Sequence, residues 1–382
     1  MKTKMPDKLK HIHLIAPNIF GYKGGIQVYT FYLLKTLQEL YPDLQYHVYL
    51  KYDKTKHLTN WPGLRTRFYL FGHWPRWLQS FLLSLSLLIA ALRFPKSLFW
   101  VTHPNYAIVC HWLKLFTGKP YWIVAHGLEV WSIQNPLLKI ALIQSDLILP
   151  VSNFTKRYLQ TDQKISSHKM LVLPNTFDPE EFTIKSKPQY LLERYNLKPD
   201  HKIIFTLARC NPYKGYELIL KQISRLKQQF PVHYILAGHG SQKPHIRELV
   251  QKYRLEASVT LAGFIPEAER CDHYNLCDVF AMPSTGEGFG IVFLEALACG
   301  KPVIAGNVDG ASDPLLQGEI GCLVDLDEDD ELYLTISSLL QGSHPNKLLY
   351  EPQKLREIVI ENYGIEAFRA AISRLPVLQS YL

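Results

Sequence analysis

Two glutamates, Glu287 and Glu295, stand on either side of a glycine-rich turn that opens into a predicted helix. Gly288 and Gly290 let the backbone approach a ligand closely, and the apolar spacing from Ile291 onward is helical. The unpaired amides at the start of such a helix favour an anion. Because a helix rises about 1.5 Å per residue, the two carboxylates cannot touch each other. They can instead hold two ends of one elongated ligand.

Two cations follow a predicted buried strand. The segment Lys202–Ala208 leads directly into Arg209, and Lys214 comes five residues later. Ligands of open α/β sheets bind beyond the carboxyl ends of the strands. A planar guanidinium and a compact ammonium at that position suit a diphosphate. Two solvated cations in a loop are the alternative interpretation.

The N-terminal half contains two further candidates. Gly24 and Gly25 follow the first predicted strand and open the first predicted helix, so they would admit a phosphate or sugar close to the backbone. A tight turn explains the paired glycines equally well. His126 ends another predicted buried strand, where it can donate a hydrogen bond to a ligand or be satisfied by neighbouring backbone.

These residues resemble the donor-site signature of retaining glycosyltransferases of family 4. In that family two glutamates are separated by seven residues, as Gly288–Leu294 separate them here. The resemblance implies that Glu287 contacts the hydroxyls of the donor sugar and Glu295 the nucleotide ribose. It also implies that Arg209 and Lys214 bind the donor diphosphate.

The same resemblance gives roles to the remaining candidates. His126 would contact the sugar near the reacting carbon and, with Glu287, form the catalytic pair. Gly263, Phe264 and Ile265 would cradle the nucleotide base with backbone groups. The other expected donor-binding positions are Gly24, Gly25, Gly288, Phe289, Gly290 and Ile291. Neither a cofactor nor a divalent metal is expected, because side-chain cations and amides would neutralise the diphosphate. Asp325 and Asp327 match a metal-binding acid pair only formally, and acids at a helix start explain them better.

The expected activity is transfer of a sugar, with retention, from a UDP- or GDP-sugar to a hydroxyl acceptor such as a lipid, a lipid-linked saccharide or a cell-envelope saccharide. No side chain stands out as a nucleophile, so the resemblance implies a same-face displacement in which the leaving phosphate assists deprotonation of the acceptor. Two other hypotheses stay open. One is a nucleotide-sugar epimerase of the same architecture, and the other is a partner subunit that binds nucleotide sugar without turnover.

The elements that must position these residues alternate between strand and helix in both halves. The predicted strands are His11–Ala16, Gln45–Leu50, Leu98–Thr102, Tyr121–His126, Leu147–Val151, Met170–Leu173, Lys202–Ala208, Val232–Gly238, Val259–Ala262, Val279–Met282, Pro302–Ala305 and Gly321–Val324. This alternation predicts an α/β protein with parallel sheets. By resemblance the architecture is GT-B, with two Rossmann-like doubly wound domains facing each other across a cleft. The expected domains are 1–180 and 181–355, followed by a helical segment, 356–382, that returns to the first.

Charge and hydropathy indicate an anionic surface as a partner. Residues 1–180 contain 21 Lys and Arg against 9 Asp and Glu, a net charge of +12, whereas residues 181–382 carry −4. No nucleic-acid motif is present, so nucleic acid is not expected as a partner. Leu78–Leu92 is an apolar helix candidate too short to span a bilayer, which needs roughly 20 residues. It is expected either to lie at a membrane interface or to pack as a core helix.

The cysteines and the N-terminus favour a cytoplasmic chain, and the apolar segment adds the expectation of a peripheral position at the inner face of the cytoplasmic membrane. None of the six cysteines is placed to complete a metal site with paired spacing, and free thiols are expected. The run His11–Ile15 is too short for a signal-peptide core.

Overall fold

The computed structural model describes residues 9–21, 24–55, 65–328, 330–375 and 378. The chain divides into two compact units, the first comprising Met1–Thr176 with Glu366–Leu382 and the second Phe177–Ile365. Each unit is built on one six-stranded parallel sheet, so the predicted α/β class with parallel sheets is confirmed.

The first unit alternates six strands with helices that cover the sheet. Its elements are β1 His11–Ala16, α1 Gly25–Leu40, β2 Gln45–Leu50, β3 Thr66–Leu70, α2 Arg76–Arg93, β4 Ser97–Val101, α3 Ala107–Thr117, β5 Tyr121–Ala125, α4 Leu128–Trp131, α5 Pro136–Gln144, β6 Leu147–Pro150 and α6 Asn153–Thr161. The strand order is β3-β2-β1-β4-β5-β6, which is the doubly wound order with its reversal between β1 and β4. Strands β1, β4, β5 and β6 are buried almost throughout, as parallel strands covered on both faces must be.

The second unit repeats the same plan. Its elements are α7 Gln189–Arg194, β7 Lys202–Leu207, α8 Tyr216–Leu226, β8 Val232–Ala237, α9 Lys243–Lys252, β9 Val259–Gly263, α10 Glu267–Leu276, β10 Val279–Met282, α11 Ile291–Ala298, β11 Val303–Gly306, β12 Cys322–Val324, α12 Glu331–Gln341 and α13 Pro352–Tyr363. The order β12-β11-β10-β7-β8-β9 puts the reversal between β7 and β10. The last helix, α14 Ile365–Ser373, belongs to the first unit from Glu366 onward, and there Arg369 pairs with Glu39 and the Phe368 ring packs against Tyr29.

One predicted strand is wrong and one strand was missed. Met170–Leu173 forms only an isolated bridge with Ile148. Its amides reach the carbonyls of β6, but Pro150 at the end of β6 has no amide hydrogen to return a bond. The missed strand, β3, lies at the sheet edge, where its side chains are half-buried or exposed and leave no apolar run to recognise.

The apolar segment predicted at Leu78–Leu92 is the helix α2, and its two faces differ. Gln79, Leu83, Leu87 and Ala90–Ala91 are buried against the sheet at helical spacing. The opposite face remains apolar but exposed. Within the described chain, α2 is the one helix with the length and hydropathy of a membrane span, and 28% of it is buried. It therefore packs as a core helix on one side only.

Candidate functional site

Except for the segment Gly263–Ile265, the sequence-predicted donor residues of the second unit lie after β7 and β10, next to the loop that leaves β11. These three strands are neighbours in the sheet and run parallel, so their carboxyl ends meet at one edge. The edge includes the reversal of strand order between β7 and β10, which is where doubly wound sheets bind ligands.

Arg209 and Lys214 occupy the loop after β7 in different environments. Arg209 is exposed and has no ion-pair partner among the residues that the structure describes. Lys214 ends a short 3-10 turn, is only 8% exposed, and its Nζ donates to Oε2 of Glu287. The next residue, Gly215, has φ +73°, and a Cβ there would lie 2.1 Å from the carbonyl oxygen of Pro283. Glycine thus lets this loop approach the loop after β10 closely enough for Lys214 to reach Glu287.

Asp309, at the end of the loop after β11, holds the Glu287 loop in place. Its buried carboxylate accepts hydrogen bonds from Ser284 Oγ at 2.7 Å, from the Glu287 amide at 2.7 Å and from the Ala311 amide at 2.9 Å. Burial raises the pKa of Asp309 to about 6, and its hydrogen bonds to the ionised form oppose this shift. Because Asp309 bonds the backbone amide of Glu287 and not its side chain, which pairs with Lys214, it is a positioning residue.

The turn from Gly288 to Ile291 delivers the chain into α11 in a conformation that requires glycine. Gly290 has φ +92°, and a Cβ there would meet the Phe293 ring at 2.5 Å. A Cβ on Gly310 would lie 2.2 Å from the Gly288 carbonyl oxygen, so the loops after β10 and β11 are in direct contact. Phe289 is buried with its ring edge-on to Tyr363, 5.5 Å between centroids. The predicted anion-binding position therefore consists of backbone groups at the start of α11. The first turn of α11 contains no acidic side chain.

Glu295 lies on α11 and is 2% exposed. Nη2 of Arg270 donates to both of its carboxylate oxygens at 2.5 Å, and the hydroxyl of Tyr274 donates to Oε2 at 2.6 Å. The buried carboxylate is thus paired with a partly buried cation from α10, whose side chain is 20% exposed. The sequence predicted Glu295 but not this network. Because of the network, substitution of Glu295 is expected to affect stability as well as donor binding.

The predicted base-contacting segment follows β9. Gly263 has φ +72° and its carbonyl accepts from the Gly238 amide at 2.7 Å, which ties the ends of β8 and β9 together. Ile265 is buried, whereas Phe264 is 68% exposed and lies parallel to the ring of His239, 6.4 Å between centroids. The segment therefore presents an exposed aromatic face besides its backbone.

The paired glycines of the first unit stand at the start of α1. Gly24 is the residue that precedes the helix, in an extended conformation, and Gly25 is its first residue. Tyr22 and Lys23 of the same loop lie outside the described residues. The preceding turn is held by Asp53, whose buried carboxylate accepts from the amides of residues 19, 20 and 21 at 2.6 to 3.0 Å. Strand β2 itself carries no acid, and Asp53 comes three residues after its end.

His126 follows β5 and is held in one tautomer. Its Nε2 lies 3.0 Å from the carbonyl oxygen of Thr102, and because a carbonyl only accepts, Nε2 carries the hydrogen. Burial, reinforced by His103, lowers the pKa of His126 to about 3, so the ring is neutral. The donor position that the sequence suggested for a ligand is thus occupied by Thr102. Nδ1 is left as an acceptor, which suits a donating hydroxyl.

Sequence reasoning missed Asp309, Arg270, Tyr274 and Asp53. Arg270 and Asp309 are each the partner of a predicted glutamate, yet they come from a different helix and a different loop. For Asp309 a weak signal exists, since an acid followed by Gly310 after a buried strand is typical of a structured turn. Arg270 lies in a polar helical stretch with other charges and has no comparable signal.

Asp325 and Asp327 lie just after β12. The Asp325 carboxylate accepts from the Asp327 amide at 3.0 Å, and the Asp325 amide donates to Glu331 at the start of α12. Local turn and helix-start bonds therefore account for the pair. Within the described ranges, no group of three or more His, Cys, Asp and Glu side chains is arranged to hold a metal.

Both halves of the chain match models of known families. The family model described as Glycosyl transferases group 1 matches residues 191–362, and the one described as Glycosyltransferase Family 4 matches residues 23–181. The chain belongs to glycosyltransferase family 4. The predicted family and the prediction of a glycosyltransferase are confirmed.

Characterised relatives of this glycosyltransferase match only part of its length. It is 30% identical over 227 residues to a GDP-mannose-dependent alpha-(1-6)-phosphatidylinositol monomannoside mannosyltransferase of Mycolicibacterium smegmatis, covering 56% of this chain and 59% of the relative. It is 28% identical over 221 residues to an N-acetylgalactosamine-N,N'-diacetylbacillosaminyl-diphospho-undecaprenol 4-alpha-N-acetylgalactosaminyltransferase of Campylobacter jejuni, covering 58% of each. The chain thus spans about three fifths of the length of these two relatives.

Solved structures extend the likeness to the full fold. Sucrose-phosphate synthase from Thermosynechococcus elongatus superposes with a TM-score of 0.79 at 20% identity, covering 97% of this chain and 99% of that one. Anabaena HepE in complex with UDP and glucose superposes with a TM-score of 0.77 at 18% identity, covering 96% and 99%. The predicted GT-B class is confirmed at the level of fold.

A second feature of the first unit is an exposed apolar surface on three neighbouring helices. Helix α2 contacts α3, and α3 contacts α5. We call this the apolar surface; its exposed side chains are Trp77, Phe81, Leu85, Leu88 and Leu92 of α2, Trp112, Leu115 and Phe116 of α3, and Leu137, Ile140 and Ile143 of α5. Trp77 and Phe116 are 76% and 77% exposed. The three helices contain no Asp or Glu, and Arg76 and Arg93 stand at the two ends of α2.

Proposed function

We propose that this family 4 glycosyltransferase moves a sugar, with retention of configuration, from a nucleotide-diphosphate sugar to a hydroxyl acceptor on a lipid or lipid-linked saccharide. The observation that carries the donor half of the proposal is the arrangement at β7 and β10. An exposed Arg209 and a buried Lys214 paired with Glu287 flank the carboxyl edge where such sheets bind ligands.

The proposed chemistry follows from the charges of these groups. Arg209, Lys214 and the amides at the start of α11 would stabilise the diphosphate as it departs, and preorganised charge of this kind typically lowers a barrier by about 3 kcal/mol per donor. On donor binding, Lys214 would share its charge between Glu287 and the phosphate. Glu287 would accept hydrogen bonds from sugar hydroxyls. Its position would be held by the hydrogen bond from its backbone amide to Asp309. Glu295 would contact the ribose with a carboxylate that Arg270 already orients.

No divalent metal is part of the proposal, because two cations and a helix start supply the positive charge that a diphosphate needs. The base would stack on or beside the exposed Phe264 ring, next to Gly263, whose φ is +72°. His126 would accept a hydrogen bond from a sugar hydroxyl through Nδ1, since its Nε2 hydrogen is taken by Thr102.

The acceptor half of the proposal rests on the apolar surface. Exposed tryptophan, phenylalanine and leucine side chains with basic residues at the helix ends are typical of proteins that lie on an anionic bilayer. The net charge of +12 over residues 1–180 would add electrostatic attraction to the apolar insertion. The names of two relatives, one a phosphatidylinositol monomannoside mannosyltransferase and the other a diphospho-undecaprenol N-acetylgalactosaminyltransferase, support an acceptor of this class.

The test begins with a thermal-shift screen of UDP- and GDP-sugars, since a ligand at 100 times its dissociation constant adds about 2.7 kcal/mol to stability. Any donor that stabilises the protein is then incubated with it alone, and the products are separated. Slow release of nucleotide diphosphate and free sugar of retained anomeric configuration supports the proposal. An epimerised nucleotide sugar, or stabilisation without any turnover even with lipid acceptors added, would contradict it.

A further inference from the structure

The first unit contains a cavity of about 570 Å³ between α2 and the edge of the sheet formed by β2 and β3. In the register of these strands His47 lies beside Arg67 and Tyr49 beside Tyr69. Side chains alternate between the faces of a strand, so these four residues share the face that α2 covers. The cavity is separate from the loops that carry Gly24 and His126, neither of which lines it.

The walls of the cavity are cationic. Arg65, Arg67 and Arg93 line it, and none of the lining residues carries a carboxylate. Arg65 donates to Asp43, with an Nη1 to Oδ1 distance of 3.4 Å. Arg67 and Arg93 have no ion-pair partner within the part of the chain that the structure describes. Each guanidinium instead lies near an aromatic ring, Arg67 at 5.5 Å from the centre of Tyr69.

The floor is aromatic, polar and uncharged. The rings of Tyr49 and Tyr69 stack at 4.6 Å between centroids, and the Tyr69 hydroxyl lies 3.4 Å from Nδ1 of His47. Burial, reinforced by His11 and Arg67, lowers the pKa of His47 to about 4, so this histidine is neutral near pH 7. The positive charge of the cavity therefore comes from its guanidinium groups, and those of Arg67 and Arg93 are exposed.

Helix α2 joins this cavity to the apolar surface. Ser86, Ile89, Ala90 and Arg93 line the cavity at a spacing that puts them on one face of the helix. Ile89 is half-exposed, and the apolar surface continues from it along α2 through Leu85, Leu88 and Leu92. An apolar chain on the surface and a polar group in the cavity could thus belong to one molecule.

We propose that this cavity binds a phosphate monoester or diester through Arg67 and Arg93, whose planar forks match phosphate oxygens, with Tyr49 and Tyr69 beneath it. The ligand is either the headgroup of an anionic lipid or a soluble phosphate ester. The lipid alternative rests on the proposed action at a membrane. The soluble-ester alternative does not, because it requires only the positive charges of the cavity.

Calorimetric titration of the full-length protein tests the proposal with two probes: dihexanoyl phosphatidic acid below its micelle concentration, and glycerol 3-phosphate. We expect binding that weakens about tenfold or more in Arg67→Ala and in Arg93→Ala, as loss of a hydrogen bond to a charged group does. Arg157→Ala is the matched control, because Arg157 is exposed on α6, which follows β6 at the opposite edge of the sheet, and should bind like the wild type.

The two probes separate the two sources. Tighter binding of the short-chain lipid identifies a headgroup site, and equal binding of glycerol 3-phosphate identifies a site for a soluble ester. Ser86→Trp gives a second variant that fills the cavity without changing its charge, and it should abolish binding while the thermal unfolding midpoint stays near that of the wild type. Absence of binding by both probes, or equal weakening in Arg157→Ala, would overturn the proposal. Nucleotide release from the donor sugar by the wild type is measured in parallel, so failure of the proposed transferase activity is recognised separately.

Discussion

Arg209 and Lys214 are expected to fail in different ways when each is replaced by alanine, although the resemblance gives them one role. Arg209 is exposed and has no ion-pair partner among the described residues, so its removal should leave stability unchanged. Lys214 is buried and holds Glu287, whose side chain is 18% exposed, so its removal leaves a carboxylate with little solvent and no cation. Breaking a buried pair from one side costs about 3–5 kcal/mol, and partial exposure here favours the lower end.

The magnitudes separate the two variants clearly. A loss of about 3 kcal/mol in a unit of this size lowers the unfolding midpoint by roughly 6–12 °C. Both variants should lose on the order of 10²–10³ in turnover, because each removes a charge that faces the departing diphosphate. Purely from the sequence, both would be expected to impair turnover far more than folding; the buried pair changes that expectation for Lys214.

The assay combines scanning calorimetry with nucleotide release from the donor sugar. Arg247→Ala, which removes an exposed cation from α9 of the same unit, is the control and should match the wild type in both readouts. Equal unfolding midpoints for Arg209→Ala and Lys214→Ala would refute the reasoning about the buried pair. Near wild-type turnover in either variant would remove that cation from the proposed diphosphate site.

Three further predictions concern other parts of the molecule. Glu295→Gln leaves Arg270 without its counterion, so it should lower the free energy of unfolding in urea by about 3 kcal/mol or more and also weaken donor binding. The control Glu361→Gln, at an exposed position, should change neither quantity. An unchanged stability of Glu295→Gln would argue against the pair of Glu295 and Arg270. His126 has a folded pKa of about 3 against 6.5 when unfolded, so its contribution to stability is complete above pH 6.5 and is lost as the pH falls toward 3. His126→Gln should therefore flatten the decline of stability between pH 6 and 5 by roughly 1.4 kcal/mol per pH unit, whereas the exposed His168→Gln should not. Vesicle flotation should show association with anionic bilayers that weakens with salt and is lost in Trp77→Ser/Phe116→Ser but kept in Leu334→Ser; binding that ignores the double substitution would exclude the apolar surface.

The sequence predicts the strands well where burial leaves an uninterrupted apolar run. Val279–Met282 has the same bounds in prediction and structure, because a four-residue apolar run between a charged residue and a proline has few alternatives. Edge elements fail for the opposite reason: β3 is half-exposed, and the segment from Met170 has apolar residues but only half of a hydrogen-bond ladder. The local hydropathy pattern indicates which residues are buried. It does not indicate which strands pair with each other.

For the candidate site, the sequence supplies the residues and the fold supplies their partners. The flanking glycines and the predicted strand ends placed Lys214 and Glu287 in loops at the edge of the sheet. They did not predict that these two residues, 73 positions apart in the sequence, form an ion pair. The pairing depends on Gly215 and Pro283 coming into contact, which is a property of two loops together. The role of Asp309 in positioning Glu287 likewise depends on contacts between two loops, because its buried carboxylate bonds Ser284 and the Glu287 amide.

Isothermal titration in EDTA, with the nucleotide diphosphate whose sugar scores highest in the stability screen, tests the central claim most directly. That claim is that two side-chain cations and a helix start bind the donor diphosphate without a metal. The account predicts that the wild type and Arg247→Ala bind equally, and that Arg209→Ala and Lys214→Ala each bind about tenfold more weakly or worse. Equal affinity in all four proteins, or binding that appears only after Mg²⁺ or Mn²⁺ is added, would contradict it.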